Sequence, residues 1–310
     1  MTSTVLGSVL APVLTPFTAA GEPDAGRFVA HARWLLAEGC TGLAPFGTTS
    51  EGNSLSGAER KVLLISLLAA GIDPAHLMPG TGLCSVPETV DLTKHAVDLG
   101  CGGVLMLPPF YYKGVSDDGL YRHYAQVIER VADHRLRVYL YHIPPFTQIG
   151  FSVPLIERLR RDFPGVVVGL KDSSGDWPHT KGLIEALPGF KVYSGSEATL
   201  LDNLRLGGAG CISATANVNA RLLRQIADAP KATESNAAQA KATAIRKEIQ
   251  LRPLVQATKA IIAHFRQDQG WMQTRAPLDP LPAAEAKLLL DMLTGELGLS
   301  LQISNTAGLR

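Results

Sequence analysis

The chain has 310 residues, of which 46% are hydrophobic and 18% charged, so it can bury a large core and is neither a disordered nor a fibrous protein. Twenty-nine Lys and Arg residues against 28 Asp and Glu residues give a net charge of +1, which excludes the basic footprint that nucleic acid or an anionic membrane would need. At roughly 150 residues per domain the length predicts about two domains, although a closed α/β barrel often takes about 250 residues as one.

Eight short apolar runs alternate with segments that repeat apolar residues at helical spacing. The runs end in Gly, Pro, Ser or Thr, and most are continuous enough to be strands buried on both faces. Strand alternating with helix eight times is typical of a parallel sheet with right-handed crossovers, and eight units predict closure into a (β/α)8, or TIM, barrel. The predicted strands are 8–12, 42–46, 78–81, 103–107, 137–142, 166–171, 191–194 and 210–213, and predicted helices between them include 25–38, 57–70, 86–99, 118–132 and 154–162.

The strand pattern ends after Asn217, and the remainder predicts helices at 220–229, 234–251, 254–267 and 283–293. One of these helices closes the barrel. We therefore assign residues 1–225 to a catalytic barrel and 226–310 to a C-terminal helical extension packed on it, because no linker or charge block separates them. A small independent C-terminal domain is the alternative. The segment 270–282, with Trp271, Arg275 and three prolines, is predicted to be a surface loop.

The cysteines and the N-terminal segment favour a reducing compartment. Four cysteines lie far apart in apolar or Gly-rich sequence without a C-x-x-C pair, so we interpret them as thiols packed in the core: Cys40, Cys84, Cys101 and Cys211. The N-terminus lacks the positive region of a signal peptide, and the longest apolar run, 62–71, is too short to span a bilayer. We expect a cytoplasmic protein.

In such a barrel the reacting groups follow the C-terminal ends of the strands. After the second predicted strand, residues 46–53 read Phe-Gly-Thr-Thr-Ser-Glu-Gly-Asn. The hydroxyls of Thr48 and Thr49, with the backbone N–H groups of this loop, could hold a small carboxylate. An ordinary helix N-cap loop is the alternative interpretation.

The fifth predicted strand ends in Val-Tyr-Leu-Tyr-His-Ile-Pro-Pro, which places Tyr139 and Tyr141 on one face. A phenol at the mouth of the barrel can transfer protons. Simple packing of an aromatic side chain in a strand is the alternative.

The sixth predicted strand carries a lysine at its end. Lys171 directly follows Val-Val-Val-Gly-Leu, a run of the kind that is buried on both faces. Burial disfavours the charged ammonium and so favours the free amine, the nucleophile that forms a Schiff base with a carbonyl carbon. A lysine that reaches solvent or pairs with Asp172 is the alternative.

Four segments of the chain resemble the signature segments of the dihydrodipicolinate synthase / N-acetylneuraminate lyase family, in the family's order and spacing. The resemblance extends over essentially the whole chain, including Arg275-Ala-Pro-Leu in the tail. It implies a (β/α)8 barrel, usually a homotetramer, whose lysine forms an imine with pyruvate or another 2-oxo acid. The segments are Gly47-Thr-Thr-Ser-Glu51, Tyr141-His-Ile-Pro144, Gly169-Leu-Lys-Asp-Ser-Ser-Gly175 and Gly210-Cys-Ile-Ser-Ala-Thr-Ala-Asn217.

The resemblance also implies catalytic roles. Lys171 would be the Schiff-base nucleophile, and Tyr141 the general acid and base. Thr48 would link Tyr141 to a second tyrosine that reaches in from a neighbouring subunit. Counting forward from Gly103 selects Tyr111 for that tyrosine, and counting back from Tyr121 selects Tyr112. We prefer Tyr111, because the strand anchors the first count.

The remaining implied residues bind substrate. Thr49, beside Gly47, would hold the carboxylate of the 2-oxo acid, and Ile212 would supply a backbone contact on the opposite wall. Ser50 and His142 stand where the family usually has Gly and often has Asn, which removes no group that imine chemistry needs.

Phe146 is the departure that bears on specificity. It stands where the lysine-pathway synthase has an arginine that grips its semialdehyde co-substrate, and a phenyl ring makes none of those bidentate bonds. We therefore expect an aldolase or lyase for a 2-keto-3-deoxy sugar acid or a 4-hydroxy-2-oxo acid, with Phe146 able to pack a hydrophobic aldehyde. The alternatives are 4-hydroxy-tetrahydrodipicolinate synthase, a dehydratase that uses the same imine, and a barrel that only binds 2-oxo acids.

Motifs for other chemistries are absent from the sequence. The eight histidines form no H-E-x-x-H and no Cys/His cluster, so no metal site is predicted. Dinucleotide, P-loop and serine-hydrolase signatures do not occur either, so no cofactor is expected. The expected partners are pyruvate or another 2-oxo acid, an aldehyde and further copies of this chain.

Overall fold

The computed structural model describes residues 6–303, and in that range seven parallel strands form one curled sheet surrounded by helices. Each strand comes from one of the predicted apolar runs. The sheet order is β2-β1-β7-β6-β5-β4-β3, so β1 pairs with β2 on one side and β7 on the other. The strands are β1 (Val9–Ala11), β2 (Gly42–Leu43), β3 (Val104–Met106), β4 (Val138–His142), β5 (Val167–Asp172), β6 (Lys191–Ser194) and β7 (Gly210–Ile212).

The segment 77–81 closes the sheet between β2 and β3. Leu77 bridges Leu43 and Gly80 bridges Leu105, both in parallel orientation. The N–H of Leu105 donates to the carbonyl of Pro79 at 2.9 Å. A regular strand predicted at 78–81 is therefore wrong in detail, because Pro79 has no N–H to donate to a ladder. The segment still completes the ring as its eighth parallel segment, between β2 and β3. The predicted barrel is confirmed.

Helices fill the crossovers and the C-terminal part of the chain. The Asp24 side chain caps α1 by accepting from the N–H of Arg27, and Ser56 and Glu59 form a capping box at α2. Short 3-10 turns lie at 52–54, 74–76, 197–199 and 269–272. The helices are α1 (Ala25–Ala37), α2 (Gly57–Ala69), α3 (Val86–Asp98), α4 (Asp117–Val131), α5 (Pro144–Thr147), α6 (Val153–Asp162), α7 (Trp177–Ala186), α8 (Leu200–Arg205), α9 (Ala216–Asp228), α10 (Glu234–Ile249), α11 (Leu254–Arg266) and α12 (Ala283–Asp291).

The predicted helices are present, with differences at a few ends. The barrel-closing helix α9 begins at Ala216 rather than at 220, because one helical turn precedes a kink at the non-helical Asn219 (φ −137°). After α12 the chain makes one π-helical turn at Met292–Glu296. The proposed boundary between residues 225 and 226 lies inside α9, so the helix that closes the barrel spans it.

Aromatic side chains fill the interior of the barrel. Tyr139, Tyr141 and Tyr193 belong to one buried cluster that also contains Ile212. Tyr139 fits because its neighbours are glycines: a Cβ on Gly169 would lie 2.5 Å from the ring of Tyr139. The strand ends above this aromatic layer are consequently held in place by close packing.

The C-terminal helices share a core with the barrel. Leu14 and Val218 pack in one cluster with apolar residues of α10 to α12. Trp271 belongs to that cluster and is 1% exposed, so the prediction of a surface loop at 270–282 is wrong at this residue, which packs against His31. The expectation that all four cysteines pack in the core also fails, since Cys84 is exposed.

In residues 6–303 no helix combines the length and the apolar character needed to cross a bilayer.

Candidate active site

A cavity of about 660 Å³ opens at the C-terminal ends of the strands. The end of β5 supplies Lys171, the end of β4 supplies Tyr141, and the loop after β2 supplies Thr48 and Thr49. These residues are separated widely in the sequence. The barrel brings them together because the C-terminal ends of parallel strands all point to the same face.

Lys171 and Tyr141 are direct neighbours across two strands. They are register partners in the β4–β5 pair, so their side chains leave the sheet on the same face. The Nζ of Lys171 donates to the Tyr141 hydroxyl at 3.2 Å and lies 4.3 Å from the centroid of its ring. Each residue is 3% exposed. An amine and a phenol are thus in contact inside a largely dry site.

Thr48 extends this contact, since its hydroxyl lies 3.3 Å from the Tyr141 hydroxyl. The loop that carries it runs between two non-glycine residues in the left-handed region, Phe46 (φ 67°) and Glu51 (φ 54°). Such conformations persist only where the surroundings enforce them. Here the hydroxyl of Thr15 donates to the carbonyl of Ser50 at 2.7 Å, and a buried ion pair holds Glu51.

Of the other predicted pyruvate-binding residues, Thr49 lines the cavity, whereas Gly47 and Ile212 are not among its lining residues. Thr49 is 8% exposed. Gly47 precedes the two threonines, with open space where a Cβ would be. Ile212 is fully buried beneath the opening, and Ala214, two residues further on, lines the cavity.

The two candidates for the inter-subunit tyrosine lie on the surface. Tyr111 is 73% exposed and Tyr112 is 74% exposed. Their rings contact each other edge to face at 5.3 Å, away from the residues that line the cavity. Both tyrosines are equally exposed in the single chain. The choice of Tyr111 over Tyr112 therefore stays a prediction.

Phe146 lies in α5 and forms part of the cavity wall. Its side chain is 72% exposed, and the wall continues with Ile143, Trp177, Leu254 and Val255. Part of the cavity wall is therefore apolar, and Phe146 stands where the resemblance places an arginine in the lysine-pathway synthase.

The C-terminal extension contributes residues that the sequence analysis missed. Arg246 of α10, Gln250 at its C-cap and the first turn of α11 line the cavity. Arg246 donates to Ser213 at 3.1 Å and lies 3.5 Å from the carboxylate of Glu197, which is fully buried. No local sequence motif marks a helix residue that reaches the cavity through tertiary packing.

A second missed cluster lies behind Lys171. Potential metal-ligating atoms of His142, Asp172 and His179 lie within 4.8 Å of one another. The residues follow no metal-binding motif in the sequence. The N–H of Phe151 donates to Nδ1 of His142 at 3.1 Å, and Asp172 accepts from Thr180 and faces His179 Nδ1 at 2.8 Å.

Burial lowers the pKa of His142, which favours its neutral form. Burial alone would raise the pKa of Asp172, but hydrogen bonds from His179, Ser174 and Thr180 outweigh it and hold that pKa below its usual range. The cluster therefore keeps a carboxylate directly after the active-site lysine.

Comparison with known proteins shows the family of the chain. Residues 5–294 match the model of the dihydrodipicolinate synthetase family. An uncharacterized DapA-like lyase of Chloroflexus aurantiacus is 33% identical over 284 residues, which cover 91% of this chain and 94% of that protein. The crystal structure of dihydrodipicolinate synthase from Agrobacterium tumefaciens is 33% identical, has a TM-score of 0.86, and the match covers 92% of this chain and 98% of that one. The structure of YagE from E. coli K12 in complex with pyruvate is 26% identical and has a TM-score of 0.87, and the match covers 96% of this chain and 100% of that one.

The chain belongs to the dihydrodipicolinate synthetase family and is a lyase of the Schiff-base type.

Proposed function

We propose that the amine of Lys171 forms an imine with the keto carbon of pyruvate, and that the enzyme makes or breaks a C–C bond between pyruvate and an aldehyde. The observation that carries this proposal is the 3.2 Å contact between Lys171 Nζ and the Tyr141 hydroxyl in a buried site. An amine beside a proton donor and acceptor is the pair of groups that imine formation needs.

In the first step the Lys171 amine attacks C2 of pyruvate, and a C–N bond forms while the C=O π bond breaks. Tyr141 protonates the oxygen of the carbinolamine, and a water molecule leaves to give the imine. Thr48 accepts from or donates to the Tyr141 hydroxyl and holds it in position for these transfers. The hydroxyl and N–H of Thr49, beside Gly47, bind the pyruvate carboxylate, with Ile212 on the facing wall.

In the second step the Tyr141 phenolate left by the first step takes a proton from C3, which converts the protonated imine into an enamine and restores the phenol. C3 then attacks the aldehyde carbon, and the aldehyde oxygen takes up a proton from Tyr141. Water hydrolyses the new imine, which releases the product and restores the amine. Cleavage follows the same steps in reverse.

The proposed second substrate is the aldehyde half of a 2-keto-3-deoxy sugar acid or a 4-hydroxy-2-oxo acid. The apolar wall at Phe146 supports this choice, because it offers no bidentate donor at that position. The second candidate is 4-hydroxy-tetrahydrodipicolinate synthase, which several relatives are named, among them a Rhizobium meliloti protein that is 36% identical over 224 residues. Product analysis with aspartate semialdehyde and with a panel of 2-keto-3-deoxy acids distinguishes the two.

We also propose a homotetramer in the cytoplasm. The exposed Tyr111 and Tyr112 rings support burial against another copy of the chain. Four free thiols support a reducing compartment. Light scattering tests the oligomer, and loss of activity in Tyr111→Phe but not in Tyr112→Phe would support the choice of Tyr111.

Borohydride reduction tests the central proposal. With pyruvate present, reduction should attach the three-carbon unit covalently to the peptide that contains Lys171, and Lys171→Ala should show no adduct. Folded parent protein that forms no adduct at neutral pH would overturn the imine mechanism. Binding of pyruvate without turnover of any aldehyde would favour a barrel that only binds 2-oxo acids.

A further inference from the structure

Arg246 is a cation in the cavity wall that the proposed chemistry does not use. It lies on α10, outside the strand ends, and its side chain is 12% exposed. With Lys247, it places positive charge in the lining of the cavity.

The hydrogen bonds of Arg246 leave one end of its guanidinium open. Nε donates to Gln250 at 2.9 Å, and Nη1 donates to Ser213 at 3.1 Å. Within residues 6–303, Nη2 makes no hydrogen bond. It is also not one of the fully buried polar atoms without a partner in that range, so it is accessible to solvent. The two N–H groups of Nη2 can therefore still donate to a carboxylate.

Glu197 does not occupy the Nη2 donors of Arg246. Its carboxylate is fully buried and accepts from the hydroxyls of Ser213 and Thr215, with the Asn219 amide at 3.4 Å. Its distance to Arg246 is 3.5 Å, longer than a strong ionic hydrogen bond. Glu197 and Ser213 thus hold Nη1, and Arg246 lines the cavity with Nη2 unpaired in residues 6–303.

We propose that Arg246 determines specificity by binding a carboxylate on the aldehyde substrate. This inference rests on the proposed function and adds the class of the second substrate: an aldehyde that bears a carboxylate, held by Arg246, with its apolar part against Phe146 and Trp177. A cavity of about 660 Å³ has room for such an acceptor beside a bound pyruvate. The proposed charge contact lies on α10, whereas the resemblance places that of the lysine-pathway synthase at the position where this chain has Phe146.

Matched pairs of aldehydes test the proposal: succinic semialdehyde with butanal, and 4-carboxybenzaldehyde with benzaldehyde, each with pyruvate. In the parent enzyme kcat/KM should favour the carboxylated member of at least one pair by about tenfold or more, as one charged hydrogen bond can give. Arg246→Gln should bring that ratio close to one and raise KM for the carboxylated aldehyde, while borohydride trapping of pyruvate on Lys171 stays at the parent level.

Arg252→Gln is the matched control, because Arg252 follows the C-terminal end of α10, pairs with Glu248 and does not line the cavity. Its aldehyde preference should equal that of the parent. Arg246→Lys keeps the charge but lacks the planar guanidinium with its several N–H donors, so it should retain part of the preference. It serves as the second variant if Arg246→Gln does not fold.

Three results would overturn the proposal: no preference in the parent, an equal loss for both members of a pair in Arg246→Gln, or loss of the preference in Lys247→Gln instead. Absence of the pyruvate adduct in the parent would instead overturn the proposed function, so the two failures are distinguishable.

Discussion

Lys259 and Glu51 form an ion pair in which both side chains are completely buried. It connects α11 of the C-terminal extension to the loop that carries Thr48 and Thr49. Lys259 also donates to the carbonyl of Gln273 at 2.7 Å, and the N–H of Arg275 donates to the second oxygen of Glu51 at 2.9 Å. The extension therefore holds the active-site loop through a charge buried beneath it.

Loss of Lys259 should destabilise the protein strongly. In Lys259→Met the carboxylate of Glu51 stays buried without its cation, which typically costs about 3–5 kcal/mol. The double variant Glu51→Gln/Lys259→Met removes both charges and should recover part of that loss. Urea denaturation measures the free energies of unfolding.

Lys287→Met is the control for Lys259→Met, because Lys287 pairs with Asp291 on the surface, where both side chains are more than half exposed. It should change stability by about 1 kcal/mol or less. A Lys259→Met protein as stable as this control, or a double variant no better than the single one, would contradict the assignment.

Tyr141→Phe should slow C–C bond formation or cleavage by about 10²-fold or more, because it removes the general acid and base. Some imine should still form, so borohydride trapping on Lys171 should persist. Tyr139→Phe is the matched control: Tyr139 lies two residues earlier on the same face of β4, is 1% exposed, and does not line the cavity. Single-turnover kinetics measure the chemical step. Equal rates in the two variants would refute the role of Tyr141.

The contrast between Tyr141 and Arg246 shows what sequence reasoning could reach. Tyr141 and Lys171 were predictable because a strand's end places its side chain at the mouth of a barrel whatever the details of packing. Arg246 was not, because its position depends on how α10 packs across the strand ends, and no local spacing encodes that. The same holds for His142 and His179, whose contact requires α7 to pack against β4 and β5.

Phe146→Arg should increase the use of aspartate semialdehyde. A guanidinium at this exposed position restores bidentate donors for a carboxylate, and a charged hydrogen bond of about 1.5–3 kcal/mol corresponds to a gain of about tenfold or more in kcat/KM. Stability should change little, because the Phe146 side chain is 72% exposed. Phe146→Gln controls for removal of the ring alone. If Phe146→Arg brings no gain over Phe146→Gln, Phe146 is not the only determinant of specificity.

His31 should make the stability of the protein depend on pH. The ring is fully buried between Trp34 and Trp271, with ring centroids at 5.5 and 5.0 Å. Its Nε2 lies 3.0 Å from the Asn217 side-chain oxygen, and Arg266 Nη2 lies 3.4 Å from Nδ1. These partners suit a neutral ring that donates from Nε2 and accepts at Nδ1, since a second ring proton would face the guanidinium.

Burial, with the charge of Arg266, lowers the pKa of His31 from 6.5 to about 3. Below pH 6.5 the unfolded chain therefore binds a proton that the folded protein does not, and stability falls as the pH decreases towards 3. Between pH 7 and 5 this one group should cost about 2 kcal/mol of unfolding free energy. His31→Gln should lack that part of the pH dependence, whereas His134→Gln, at a side chain that is 95% exposed, should behave like the parent. Urea denaturation at pH 7 and pH 5 measures both differences, and parallel losses in His31→Gln and the parent would show that His31 is not the group responsible.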